Sequence, residues 1–487
     1  MQMRRTVRLL ASMGTAVLLA CVVVLVTAAG SMKSAVVAAE RPNIVLVVTD
    51  DLTKKDYFDL GRNLSSFTSG GTFFHNAFVT TTLCCPSRAS TLTGLYAHNH
   101  HITQHIDPGT GYEQYHAEGY DQKDLPVWLM NAGYRTGLVG KYMNKYKVQS
   151  EETPAGWTDW YGADTPADTW RLNEHGTVST YPQDPTSPGY EPWEDVMGDK
   201  AVKFIGEAHA SGQPFFLWYG THAPHSPELV TPRDRDRVGT WPAYDPPSFN
   251  ERDVSDKPRW VRRQPLLTSN QQRSLKQKRQ ERLSAMLAVS RNLARLKDKL
   301  RQTGELSNTY LILTSDNGYH LGQHRLSAGK RTAYKEDRRV PLAISGPGVT
   351  SGDAKHMVLN TDLAPTIADL AGVAPGLTPD GRSFAPLLPE GRSGIAPERF
   401  RQRFMEENWH TPAVPGAVVP PTNQAVISSL YTYNRYSTGE TEYYNLSRDP
   451  NELESKQVSG TYKENLNSLW TRLRDCQGTE CLRVEGG

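Results

Sequence analysis

The run Asn43 to Thr49 (NIVLVVT) is unbroken, apolar and rich in β-branched residues, without the alternation of a half-exposed strand. Such a segment has to be covered on both faces, which places it in a parallel sheet flanked by helices. The pattern recurs at Phe215 to Tyr219 and Tyr310 to Thr314 (YLILT), and Val340 to Ile344 reads as a further strand. Leu283, Met286, Leu287, Leu293, Leu296 and Leu300 fall instead at three- and four-residue steps, one face of a helix leading into YLILT. Alternating strands and helices across residues 40–390 predict an α/β domain, a mostly parallel sheet sandwiched by helices.

With 487 residues and 38% hydrophobic content, the chain has room for one large domain and a smaller companion. From about Gly391, short aromatic strands (Ser429 to Tyr436, Glu442 to Tyr444) precede a helix around Lys463 to Leu473. Residues 391–487 are therefore expected to form a C-terminal antiparallel sheet plus helix. Pro182 to Pro192 and Thr411 to Pro421 read as surface loops, and the basic stretch Gln271 to Arg282 as a solvated helix face.

Residues 1–39 read as an export segment: Arg4, Arg5 and Arg8 precede an apolar run from about Leu9 to Ala29, followed by the small residues Ala35, Ala38 and Ala39. The run approaches the roughly 20 residues that span a bilayer, so an uncleaved membrane anchor stands as an alternative. A lipid anchor at Cys21 is a third reading, and sequencing the mature N-terminus separates them. Export implies a secreted, extracytoplasmic protein, or a lysosome-like compartment in a eukaryote. There Cys476 and Cys481 favour a small disulfide loop. Lys+Arg of 54 against Asp+Glu of 52 supplies no bulk field for nucleic acid or an anionic membrane, so any anion has to be recognised locally.

Two apolar strands end in polar pairs: VLVVT runs into Asp50-Asp51, and YLILTS into Asp316-Asn317-Gly318. One such pair alone reads as a cap or turn. Two after two strands point to a shared crevice at the carboxyl ends of the sheet. Three carboxylates and an amide oxygen make a hard, all-oxygen site suited to calcium, and to magnesium only with water completing an octahedron. Between the pairs lies TTLCCPSRASTLTG, Thr81 to Gly94, in which Pro86 suits a first helical position, Leu92 can face the core and Gly94 can stop the helix. Cys84 then sits at a helix N-terminus, which favours an anion, and Arg88 follows one turn along. These residues describe a cysteine, an arginine and a metal facing an oxyacid ester.

The run CCPSRASTLTG resembles the signature of the type I sulfatases, in which the first cysteine becomes a formylglycine; Cys84, not Cys85, has Pro and Arg at the required offsets. The resemblance extends from Arg41-Pro42-Asn43 to Asp449-Pro450. With Tyr96 to His101 (YAHNHH), Gly140-Lys141-Tyr142 and Thr314 to His320 (TSDNGYH), it is most similar to the N-acetylglucosamine-6-sulfatases. It implies an alkaline-phosphatase/sulfatase-like fold and one calcium ion held by Asp50, Asp51, Asp316 and Asn317, with residue 84 beside it. It also implies Lys141 and Lys330 on the sulfate with Arg88, and His225 (HAPHSP) near the leaving oxygen as general acid. One hydroxyl of the formylglycine hydrate would attack sulfur, and the other would lose its proton to expel sulfate. A sulfated carbohydrate or aryl sulfate is the implied substrate, and a formylglycine-generating enzyme the implied maturation partner.

Many members carry a histidine two residues after the first lysine, where this chain has Met143. Relatives with the same motif that cleave phosphonate monoesters or phosphodiesters supply a second reading. A catalytically silent carbohydrate-binding homologue, the third, would be expected to lose the cysteine or the carboxylates. His222 reads as a partner of the site or as a loop histidine. His98, His100, His101 and His105 invite zinc but are expected to divide between pocket wall and surface. Trp157, Trp160, Trp170 and Trp409 are expected mostly as packing, with sugar stacking as the alternative.

Overall fold

Strand β1 (Asn43–Thr49) is fully buried and alternates between two cores: Ile44, Leu46 and Val48 point to one, with Leu92, Phe216 and Ile367, while Val45 and Val47 point to the other, with Phe204, Leu217 and Met286. The computed structural model describes residues 41–149, 152–164, 167–388, 394–411 and 418–486, so the predicted export segment lies outside the described residues. Further strands are β2 (Thr72–Phe78), β3 (Arg135–Gly140), β4 (Asp159–Ala163), β5 (Thr169–Glu174), β6 (Thr177–Pro182), β7 (Phe215–Gly220), β8 (Thr309–Ser315), β9 (Leu342–Ser345) and β10 (Gly352–Leu359). They form one ten-stranded sheet in the order β10-β2-β9-β8-β1-β7-β3-β4-β5-β6. β8, β1, β7, β3 and β4 run parallel to one another.

Helices α1 (Cys84–Thr93) and α4 (Leu363–Ala371) cover one face of this sheet; α2 (Trp193–Ser211) and α3 (Ser269–Gln302) cover the other. The predicted leucine periodicity is the buried face of α3. Its start is set by Thr268, whose hydroxyl accepts from Gln271 N at 3.3 Å while Gln271 Oε1 accepts from Thr268 N at 2.9 Å. α1 begins at Cys84 and stops at Gly94, which is left-handed at φ 74°. Pro86 is thus the third helical residue rather than the first, tolerated there because first-turn N–H groups have no intrahelical acceptor.

Three features depart from the sequence reading. The strand expected at Val340 to Ile344 is β9, and it runs antiparallel between β2 and β8. β2 and β10 gave no clear sequence signal, because lying at one margin of the sheet they carry mixed polar and apolar residues. The basic stretch of α3 is not wholly solvated. Arg279 and Arg282 are buried, the first paired with Asp56 and Asp59, the second bonded to backbone carbonyls.

A second, antiparallel sheet contains β11 (Arg403–Asn408), β12 (Asn423–Ser428), β13 (Tyr431–Tyr436) and β14 (Thr441–Asn445) in that order. Helix α5 (Gly460–Arg474) packs on it, and Cys476 and Cys481 close the predicted disulfide loop. Phe78, Tyr96 and Leu359 from the larger layer share a core with Phe404, Val426 and Leu466. Among the described residues no helix is long and apolar enough to cross a membrane.

Candidate active site

The neighbouring parallel strands β8, β1, β7 and β3 end on the same edge, each delivering a polar residue. β1 runs into Asp50 and Asp51, β8 into Asp316 and Asn317, β7 into the loop carrying His222 and His225, and β3 into Lys141. The register puts Thr49 opposite Ser315 and Gly140 opposite Gly220. Gly140 is required at the last pair: its φ is 96°, and a Cβ there would lie 2.0 Å from the Gly220 carbonyl oxygen. The close approach lets Lys141 N donate to that oxygen at 2.9 Å and turns the Lys141 ammonium onto the Asp50 carboxylate.

Asp51 also has positive φ, 71°, which is costly for a residue with a side chain. It is held by its N–H, donating to Asp316 Oδ1 at 3.1 Å, and by its carbonyl, accepting from Arg282 Nη2 at 2.6 Å. α1 brings in the cysteine. Cys84 Sγ donates to Asp50 Oδ1 at 3.3 Å and lies 4.0 Å from Asp51 Oδ1. Cys85 turns away into the core, its Sγ 3.8 Å from the Asn144 carbonyl oxygen.

One turn into α1, Arg88 is fully buried. Its Nε donates to Asp316 Oδ2 at 2.8 Å, its Nη1 donates to the Lys141 and Tyr142 carbonyls at 2.8 and 3.2 Å, and its Nη2 is without a partner. Lys330 places its ammonium against Asp51 and Cys84. His225 Nε2 lies 3.9 Å from Asp51 Oδ2, and its side chain is 26% exposed against 1% for Asp51, so the site opens toward solvent on the His225 side. The residues singled out from sequence therefore meet in one place.

Oxygens of Asp50, Asp51 and Asp316 lie with Cys84 Sγ within 4.8 Å of one another. Burial alone would raise the Asp50 and Asp51 carboxyls, but His225, Lys141 and Lys330 outweigh it at Asp50 and hold it well below its usual range, and Lys330 and His225 outweigh it at Asp51 and hold that carboxyl below its own. Asp316 goes the other way, lifted by burial and by the Asp50 charge. A divalent cation among the three would relieve that repulsion. Asn317 donates through Nδ2 to Asp51 Oδ1 at 2.5 Å, which leaves its buried Oδ1 without a partner, beside the carboxylates. Hard oxygen donors with one orphaned acceptor fit a calcium-sized ion.

Two neighbours escaped the sequence reading. Arg282 ties Asp51 to the Pro224 carbonyl on the histidine loop. Its signal was the shared helix face with Leu275, Arg279 and Met286, at four- and three-residue steps. Glu194, buried in α2, accepts from His222 N at 3.0 Å and Ala223 N at 2.8 Å and so positions that loop. Glu194→Ala, which orphans two buried N–H groups, is expected to cost about 1–3 kcal/mol and to lower turnover about tenfold. Thermal melting and steady-state kinetics check both effects, and unchanged turnover would remove Glu194 from any positioning role. His105 is buried with Nδ1 unpartnered. Burial, with the charges of Lys330 and Lys141, keeps its imidazole neutral.

The remaining candidates separate. His222 packs edge-on against His225 at 5.6 Å between ring centres, and burial pulls it down to about 3. His98 bonds Glu407 at 2.8 Å and His100 bonds Ser90 Oγ at 2.9 Å; the four histidines form no metal cluster among the described residues. Met143 is buried in the core, as are Trp157, Trp160 and Trp170, whereas Trp409 is partly exposed.

Residues 42–373 match the family model described as Sulfatase, and residues 322–479 that described as N-sulphoglucosamine sulphohydrolase, C-terminal. An arylsulfatase of Volvox carteri is 32% identical over 92% of this chain and 77% of its own length. The N-acetylglucosamine-6-sulfatase of Homo sapiens is 30% identical over 91% of this chain and 86% of its own. A protein solved in complex with its substrate D-glucosamine-2-N,6-O-disulfate superposes with a TM-score of 0.72 at 24% identity, covering 89% of this chain and 97% of that one.

Proposed function

The chain belongs to the sulfatase family and is a sulfuric ester hydrolase, and from that premise we propose that it removes sulfate from a sulfated sugar such as N-acetylglucosamine 6-sulfate. In this reading Cys84 is oxidised to formylglycine, and one calcium ion is held by Asp50, Asp51, Asp316 and Asn317. The supporting observation is the position of Cys84, at the α1 N-terminus with its Sγ 3.3 Å from Asp50, while Cys85 beside it turns into the apolar core. Burial and the Asp50 charge push its thiol well above the usual range despite Lys141 and Lys330, so unmodified Cys84 is a poor nucleophile. The ion would polarise the sulfate oxygens, and the formylglycine hydrate would supply the hydroxyl that attacks sulfur.

The chain's own residues do the rest. Burial disfavours the charge on Lys141 and Lys330, but Asp50 acting on the first and Asp51 on the second more than offset it, so both ammoniums are present to hold the sulfate oxygens. Arg88, held by Asp316, keeps a buried Nη2 without a partner and so has a donor left for an anion. His225 Nδ1 bonds the Ser226 carbonyl at 2.6 Å, which leaves Nε2 on the site side, where the protonated ring can donate to the departing alcohol. The 40–390 segment carries these groups, and the 391–487 segment steadies the nucleophile. Asn408 Oδ1 accepts from Thr82 N at 3.2 Å and Thr82 Oγ1 at 2.8 Å, close ahead of Cys84.

Sulfated hexosamine as substrate is supported by the human relative and by the ligand of the structural neighbour. Secretion, or a lysosome-like location in a eukaryote, is supported by the Cys476–Cys481 disulfide. Because Cys84 is 1% exposed when folded, a formylglycine-generating enzyme would have to act before the chain closes.

Protein matured with such an enzyme should turn over 4-nitrophenyl sulfate in preference to the matching phosphate and phosphonate esters; preference for phosphorus would reject the reading. Dialysis against a chelator should abolish that activity and lower the melting temperature, because Asp50, Asp51 and Asp316 lose a common counter-charge, and calcium should restore both.

A further inference from the structure

We infer that a cavity walled by Trp241, Tyr244, Phe249 and Tyr319 is a second binding site, separate from the hydrolytic centre, for an anionic sugar. The cavity measures about 600 Å³, enough for a saccharide of one or two rings, and none of the residues assigned above to the centre lines it. Its aromatic walls suit the apolar face of a sugar ring.

Two observations narrow the ligand further. Glu336 lines the cavity, is 8% exposed, and has both carboxylate oxygens buried without a partner. A buried acceptor of that kind is costly unless a ligand supplies hydroxyl or amide donors. Opposite in charge, Lys54 and Arg339 also line it; burial and Arg339 pull the Lys54 amine down to about 7 against the pull of Asp353, so an anionic ligand would favour its charged form. Lys54 bonds the His75 carbonyl and ring, and Arg339 bonds the same carbonyl and Asn76. The other cations of the lining are engaged, Lys55 with Asp59, Lys276 with Asp245, Arg279 with Asp56 and Asp59, and Lys335 with the Pro450 carbonyl and Asn451.

The cavity therefore offers two adjacent cationic side chains bonded to carbonyl, ring and amide groups, one carboxyl group without a hydrogen-bond partner and an aromatic wall. A simple inorganic anion would leave Glu336 and the rings unmatched, and an apolar ligand would leave Glu336 buried against carbon. A sugar carrying sulfate or carboxylate answers all three features. The site is distinct from the centre yet adjacent: the Arg282 guanidinium lies 4.3 Å from the centre of the Tyr319 ring while donating to the Asp51 carbonyl.

Calorimetric titration of calcium-loaded Cys84→Ala protein with N-acetylglucosamine 6-sulfate tests this, with unsulfated N-acetylglucosamine as the second probe. Two classes of site are expected for the sulfated probe. Glu336→Gln and Lys54→Met should each weaken one class about tenfold without lowering the melting temperature. Lys330→Ala should weaken the other. A single class that responds only to Lys330→Ala overturns the inference, as does a cavity class that binds both probes equally. Loss of the Lys330-dependent class alone would count against the proposed catalytic reading and leave the second site standing.

Discussion

Cys84→Ala should reduce turnover of a sulfate ester to background, a loss of about 10⁴-fold or more, because no other side chain in the site replaces a missing nucleophile. The protein should still fold: the substitution removes one sulfur at the first residue of α1 and leaves the Leu83 and Gly94 ends of the helix untouched. Cys85→Ala is the informative contrast. Cys85 is 0% exposed in the apolar core, and burial pushes its thiol up to about 12, so its loss should cost about 1 kcal/mol of stability and little activity. Cys84→Ser retains a hydroxyl but lacks the second one needed to expel sulfate, so it should stall after the first half-reaction. Mass measurement of the peptide containing position 84 checks the same assignment chemically. An active enzyme carrying an unmodified thiol there, or an active Cys84→Ala beside a dead Cys85→Ala, would overturn it.

Arg401→Leu should be the most destabilising single substitution away from the site, by about 3–5 kcal/mol, with activity per folded molecule retained. Arg401 has no exposed side-chain surface. It donates to both oxygens of Asp362 at 2.6 and 2.8 Å and to Glu485 Oε2 at 2.8 Å, and both acids are 0% exposed as well. Leucine strands two buried carboxylates. Asp362 keeps its backbone donors Leu359 N and Arg382 N, at 2.8 Å each, but Glu485 is left with Tyr96 and Arg382. Because Asp362 leads into α4 and Glu485 ends the last helix, the loss also loosens the C-terminus from the main layer. Urea unfolding followed by circular dichroism measures the change. A midpoint indistinguishable from the parent would show that the three charges are not coupled. Adding Asp362→Asn to Arg401→Leu should recover part of the loss, since a neutral amide is cheaper to bury unpaired than a carboxylate.

Much of this molecule can be read without coordinates, for a local reason. β1, β7 and β8 announce themselves because a strand covered on both faces has to be apolar at every position. The polar pairs after β1 and β8 stand out against that background, and the stop of α1 at Gly94 and the Cys476–Cys481 loop follow from neighbours a few residues apart. The distinction between Cys84 and Cys85 comes from the resemblance to the sulfatase signature, which sets the offsets to Pro86 and Arg88.

What only the tertiary structure decided are the contacts made across long stretches of chain. β9 reverses direction, and β2 and β10 join the sheet, through pairings with distant strands that no short-range period encodes. Arg282 reads as solvated in its own segment, but it is buried because Asp51, 231 residues away, presents a carbonyl to it. Glu194, Asn408 and Arg401 likewise take their meaning from partners 28, 326 and 39 or more residues away. Periodicity and turn chemistry are properties of adjacent residues, so the sequence carries them openly. Burial of a charge depends on what the rest of the chain brings to it, and that exists only once the chain has folded.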